Sequence, residues 1–231
     1  MLLRDVLSIL RSDPGGTEPL AASFQDMMKR SADLTAAAGR IYFEGISDDR
    51  ELNRIDKDDV RINKLQRKIR KRVLVHLSTQ SNAPDLPHCL VLFSTVKDVE
   101  RIGDYAKDLA HSAAHHAGKL PSDPFVDDLR AVASEIGDQL TAAVATFESS
   151  NEDAARAAIP LGKSLLARCD ELTARTAKLR CEPEVHTALV LATQYYQRIC
   201  GHTLNVLSSL VVPLHRLDYY DEKDLLSTVP G

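Results

Sequence analysis

The chain has 231 residues, enough for one large or two small domains. Hydrophobic residues make up 44% and charged residues 27%, the balance of a soluble globular protein; aromatics at 5%, with no Trp, argue for helices and against a β-sandwich. A net charge of −4 removes any global case for nucleic acid, and four widely spaced cysteines (Cys89, Cys169, Cys181, Cys200) read as reduced, mostly buried thiols rather than a zinc or redox site.

Residues 2–11 predict a short amphipathic helix, broken by the Pro and Gly of "SDPGGTEP" (12–19). Arg4 and Asp5 make the start too charged for a secretory segment. A long helix follows over 20–44, with Leu20, Phe24, Met27, Met28, Leu34 and Ile41 on one stripe, and Gly45 stops it. Ser47 is the expected N-cap of a second helix running to residue 80, with Arg50 and Glu51 in its first turn. Its apolar stripe is Ile55, Ile62, Leu65, Ile69, Val73 and Leu77. After the loop "QSNAPDLP" (80–87) comes a third helix, 87–118, ending at Gly118.

The second half repeats the plan. "PSDP" opens a helix of 123–149, "SSNED" caps one of 151–180, and "CEPE" introduces one of 184–215. Helices this long need an apolar partner face, so each triplet predicts an antiparallel bundle. The expected fold is all-α: two tandem antiparallel three-helix bundles related by an internal repeat. The expected divisions are an N-terminal segment 1–19, a first bundle 20–118, a second bundle 119–217 and a tail 218–231. The repeat shows in the third helices, where "KDVERIGDYAKDL" lies over "QYYQRICGHTLNV" at an offset of 97 residues. The longest apolar run, "VLSSLVVPL", is too short for a membrane span and contains Pro213.

The chemistry concentrates in "KDVERIGDYAKDLA" (97–110). Glu100, Asp104 and Asp108 recur every four residues, ~6 Å apart along one helix stripe. Like charges at this spacing repel, and the mid-helix Gly103 carries a further cost. Two readings stand. Hard cations such as Mg²⁺, Mn²⁺ and iron take several oxygens from one surface. Alternatively the acids form a solvated face, with Asp98 paired to Arg101, and Asp104 to Arg101 or Lys107. The second helix offers Asp59 and Asn63, also four apart, as two more oxygen ligands facing the ladder; alternatively Asp59 pairs with Arg61 or Lys64.

"DDVRINKLQRKIRKRVLVHLS" followed by "VERIGDYAKDLA" resembles the PhoU family of phosphate-signalling regulators. The resemblance implies tandem three-helix bundles and a metal site from Asp59, Asn63, Glu100 and Asp104, with Asp108 as an extra ligand. The implied metal is iron, zinc, manganese or magnesium. It also implies a non-enzymatic, cytoplasmic adaptor, at most peripheral at the inner face of the membrane. The implied partners are a phosphate transporter or permease and a sensor kinase, and the implied assembly is a homodimer. The second bundle departs from the pattern: Gln197 and Gly201 stand for Glu100 and Asp104, and Lys163 and Ala167 for Asp59 and Asn63. At most one metal site is therefore expected, in the first bundle. The rival readings are a metal-dependent hydrolase or phosphatase using the same acids, and a metal-free structural bundle.

Three further features have two readings each. Arg61, Lys64, Arg67, Lys68, Arg70, Lys71 and Arg72 form a basic run that is either a solvated face or a dock for an acidic partner, phosphate or an anionic membrane. His111, His115 and His116 are packed or solvated residues, or a transition-metal pair at His111 and His115. The amphipathic tail 213–226 is a simple arm or a contact for another chain.

Overall fold

The structure is a computed structural model that describes residues 20–46, 48–78, 85–116, 120–149 and 151–212. The expected N-terminal helix and the C-terminal tail lie outside these residues. Six α-helices follow in order: α1 (Leu20–Glu44), α2 (Asp49–Leu77), α3 (Leu86–Ser112), α4 (Pro124–Ser149), α5 (Glu152–Thr176) and α6 (Pro183–Ser208). Successive helices pack on each other as α1–α2–α3 and α4–α5–α6, the two three-helix bundles that the apolar periodicity requires.

The helix ends follow local chemistry. Gly45 closes α1 with a φ of 65°, a left-handed turn that costs glycine little. The cap of α2 is Asp48 rather than Ser47, which lies outside the described residues; an Asp48 carboxylate oxygen accepts the Arg50 amide at 2.9 Å. Asn151 caps α5 the same way, accepting from the Ala154 amide. Several helices end earlier than periodicity alone suggests. α2 stops at Leu77, α5 at Thr176 and α6 at Ser208, while α3 tightens into a 3₁₀ turn at Ala113–His115. Apolar spacing continues past these ends, but it does not by itself hold the last turn.

All six stripe residues of α1 are buried, and so are Ile55, Ile62, Ile69 and Val73 of α2 and Val96, Val99, Ile102, Ala106 and Leu109 of α3. Burying each large aliphatic side chain is worth about 1.5–3 kcal/mol. The core does not divide between the bundles. One continuous apolar cluster runs through all six helices, because α1 packs on α4 and α3 packs on α6. Phe24 and Phe147 meet across the first contact with ring centroids 5.1 Å apart.

The second contact carries the internal repeat into three dimensions. Asp98 of α3 accepts hydrogen bonds from His202 Nδ1 at 2.8 Å and Asn205 Nδ2 at 3.0 Å of α6. Shifting each residue by 97 gives Tyr195, Tyr105 and Asp108. Tyr195 indeed faces Tyr105, with centroids 6.2 Å apart, and the Asp108 charge reaches its hydroxyl. The same three helical positions therefore meet twice, once as a polar network and once as an aromatic pair. The pairing of Asp98 with Arg101, part of the solvated-face reading, is replaced by the bonds from His202 and Asn205. Asp98 lies one turn from the buried Thr95 and Ile102, on the side of α3 turned to α6.

Candidate functional site

The acid ladder sits where α2 and α3 run side by side. Their close approach explains Gly103: a Cβ added there would meet the Ile62 side chain at 3.0 Å. The glycine lets α3 rest on α2, and the packing offsets its cost within the helix.

The five expected ligands do not converge on one point. Asp59 is buried, 6% exposed, and its Oδ2 accepts from Lys107 Nζ of α3 at 3.2 Å. Asn63 turns its amide N–H to the same oxygen at 3.3 Å, so it acts as a donor to Asp59 along α2. Asp104 accepts from Arg101 Nη1 at 3.1 Å and lies 3.7 Å from Lys107 Nζ. Glu100 is half-buried with the Arg101 guanidinium 3.8 Å away. Asp108 is exposed and sits toward α6, where its charge acts on Tyr195. The i+3 pairings of Asp104 with Arg101 and Lys107, one of the two readings of the sequence, are both formed.

The electrostatics follow from this crowding. Burial raises the Asp59 carboxyl above its ordinary range; the Lys107 hydrogen bond and charge pull it back, and neighbouring Asp104 pushes it up again. Burial, and then the Asp104 charge, raise Glu100 against the opposing charges of Arg101, Arg70 and Lys97. For Lys107, burial acts to lower the pKa, but the bond to Asp59 and the charges of Asp59, Asp104 and Asp108 outweigh it and hold the ammonium above its ordinary value. One ammonium thus lies against two carboxylates, and at Asp59 burial still outweighs it.

The implied metal can be tested against this geometry. One feature favours a cation: Asp59 Oδ1 is buried with no hydrogen-bond partner. The surroundings oppose a metal ion. The Lys107 ammonium stands between Asp59 and Asp104, and among the described residues no group of three His, Cys, Asp or Glu side chains is placed to hold an ion. The residues fit an ammonium rather than a metal.

The histidines are equally dispersed. His111 Nε2 pairs with Asp56 Oδ1 of α2 at 2.8 Å. His115 is exposed, and His116 is buried edge-on against Tyr42, where burial lowers its pKa. The three buried cysteines are held protonated by burial, Cys89 and Cys169 at about 11 and Cys200 at about 12.

The equivalent place in the second bundle has other chemistry. Leu204, 97 residues after Lys107, packs on Gly162 of α5, where an added Cβ would come within 2.5 Å of it. Cys200, the counterpart of Gly103, directs its thiol to the Gly162 carbonyl and Gln139 Oε1, each at 3.5 Å. Gln197, the counterpart of Glu100, donates to Asp170. The second bundle meets the same helix–helix contact with apolar packing.

The residues missed by sequence reasoning are Lys107 and Asp98. Lys107 was visible only as an i+3 partner of Asp104. Its reach to Asp59, 48 residues earlier, depends on how α2 lies against α3.

Comparison with known proteins gives a domain match and a shared fold. Residues 24–113, which span α1 to α3, match the model of the PhoU domain. The chain is similar in structure to PhoU from Pseudomonas aeruginosa, with a TM-score of 0.73 and 20% identity over 93% of this chain and 97% of that one. It is similar also to the phosphate transport system regulatory protein PhoU from Streptococcus pneumoniae, with a TM-score of 0.73 and 15% identity over 97% of this chain and 100% of that one. Comparison with curated proteins gives no match. The first bundle matches the PhoU domain, and the fold of the whole chain is that of the PhoU structures.

Proposed function

We propose that this chain is a regulatory adaptor of phosphate transport and phosphate-responsive signalling, working through protein contacts rather than catalysis. The PhoU domain over residues 24–113 supports this, as does the fold shared with a phosphate transport regulator. No described helix is long and apolar enough to cross a membrane, which agrees with a partner that docks on a membrane-bound transporter or kinase.

The observation that carries the reading is the outward face of α2. Opposite the buried Ile55, Ile62, Ile69 and Val73 stand Val60, Lys64, Arg67, Lys71 and Leu74, separated by four, three, four and three residues. That is the spacing of a helix edge made to lie along another helix. Val60, Leu74 and the adjacent Val75 are 46%, 60% and 63% exposed, although they are large aliphatic residues. Lys64, Arg67 and Lys71 form no ion pair among the described residues, and no Asp or Glu occurs between residues 60 and 84. Aliphatic ends with cations between them are complementary to an amphipathic helix that places carboxylates between aliphatic residues. A membrane surface is the poorer fit, because it favours large apolar residues at the centre of the face, where this helix has its cations.

The hydrolase reading needs a metal with an open position for water. With Lys107 on Asp59, the acid cluster gives it no support.

The test is genetic and direct. In the encoding organism, deletion should raise phosphate uptake and switch on phosphate-starvation genes in rich medium. Restoring the wild-type chain should reverse both, and the charge reversal Arg67→Glu/Lys71→Glu should behave as the deletion while melting as the wild type does. Unchanged uptake and gene expression on deletion would overturn the function. Full rescue by the reversed variant would remove the α2 face from it.

A further inference from the structure

We infer that Lys107 is the resident cation of the acid cluster: its ammonium takes the place between α2 and α3 that a divalent ion would take, and the cluster is a closed lock between helices.

Three independent observations carry this. The first is position. Lys107 Nζ lies 3.2 Å from Asp59 Oδ2 and 3.7 Å from Asp104 Oδ1, so it bridges a carboxylate of α2 and one of α3, as a bound ion would. The second is the state of the ligands. Of the oxygens that a metal needs, one on Asp59 is taken by Lys107 and by Asn63, and one on Asp104 is taken by Arg101. The remaining Asp59 oxygen, Oδ1, is buried without a hydrogen-bond partner, but one oxygen is far short of the six or more that Mg²⁺ or Ca²⁺ requires. A divalent ion entering here would also meet an ammonium at contact distance, and the repulsion in a half-buried site is large. The third is the repeat. The counterpart of Lys107 is Leu204, which performs the same docking of third helix on middle helix by filling the space over Gly162. The position is occupied in both bundles by a long side chain reaching the middle helix. In the first, that side chain carries a charge because the surface it meets carries Asp59.

The consequence is a specific gain of binding. Removing the ammonium while keeping its bulk frees Asp59 Oδ2 and Asp104 Oδ1 beside the unpartnered Asp59 Oδ1, so a Mn²⁺ ion that keeps waters at its other positions should bind there. The full chain, stripped with chelator and passed over a desalting column after incubation with MnCl₂, should carry no Mn²⁺ as wild type. Lys107→Met and Lys107→Gln should each retain Mn²⁺ in stoichiometric amount, and adding Asp104→Asn should abolish it. The wild-type melting temperature should not move with added MnCl₂, whereas an ion that binds the folded state raises it with concentration. Stoichiometric Mn²⁺ on the wild-type chain overturns the inference, and so do two folded Lys107 variants that take up none. If neither variant folds, the wild-type melt decides: a rise with MnCl₂ refutes the lock and a constant value supports it. The readout is metal content and melting, so it stands or falls apart from the adaptor function.

Discussion

Lys107 Nζ of α3 donates to Asp59 Oδ2 of α2 across 3.2 Å, joining two residues 48 positions apart in a contact that is buried on the aspartate side. Breaking one partner of such a pair leaves a buried charge uncompensated, while replacing both with apolar residues costs little or is favourable. Asp59→Leu and Lys107→Leu should therefore behave as a coupled pair. The Lys107→Leu chain is expected to lose about 1–3 kcal/mol, because it strands the Asp59 carboxylate. Asp59→Leu/Lys107→Leu should recover most of that, since it recreates the apolar solution of Leu204 in the second bundle. Urea denaturation of the four chains gives the coupling energy, and strict additivity would contradict the pairing.

Glu100 is the acid that the cluster holds at a cost. Its pKa, like that of Asp59, lies above the ordinary carboxylate value in the folded chain. The folded chain thus binds these protons more tightly than the unfolded chain does. Their contribution to stability is greatest in acid, below the unfolded carboxylate range near about pH 4, and is lost as pH rises through the raised folded values. Glu100→Gln removes one charge of the repelling i, i+4 pair. It should stabilise the chain at neutral pH by a few tenths of a kcal/mol, with the advantage over wild type shrinking toward acid. Urea midpoints measured across that pH range check this; a variant less stable than wild type at neutral pH would refute it.

Asp98 ties the two bundles together. It is buried, and both of its donors, His202 and Asn205, come from α6. His202→Leu is expected to cost about 1–3 kcal/mol by leaving that carboxylate short of a donor. Asp98→Asn retains an acceptor and should cost less. Because one core spans both bundles, the loss should appear as a lower midpoint of a single transition in calorimetry. Separate melting of two units would speak against the shared core.

Two glycines of the second bundle should respond in opposite directions. A Cβ at Gly162 would lie 2.1 Å from Gln139 Nε2 and 2.5 Å from a methyl of Leu204, so Gly162→Ala is expected to lose about 1–3 kcal/mol to overpacking. A Cβ at Gly201 meets nothing within 4 Å, and that residue lies inside α6. Gly201→Ala should gain about 0.5–1 kcal/mol from helix propensity alone. Thermal melts of the two variants should fall on either side of wild type.

The helices were legible in the sequence because their signal is local. A stripe such as Val96, Val99, Ile102, Ala106 and Leu109 must be buried on any helix, and the 97-residue repeat gave the count of three plus three. "ERIGD" carried the resemblance to the PhoU domain that residues 24–113 match. What the sequence left open was every choice between neighbours. Asp98 had Arg101 at i+3 and chose His202, because α3 faces α6 on that side and a buried carboxylate takes the donors that share its burial.

The ladder in "KDVERIGDYAKDLA" shows the division clearly. The sequence by itself determined that Glu100 and Asp104 share a stripe, that Asp59 and Asn63 lie on the preceding helix, and that Lys107 is one turn from Asp104. Only the tertiary structure decided which cation completes the stripe. The close approach permitted by Gly103 against Ile62 brings α2 within reach of one lysine side chain, and a covalently tethered ammonium needs no capture from solution to sit on Asp59. Helix spacing sets which groups share a face; the distance between helices sets what fits between them.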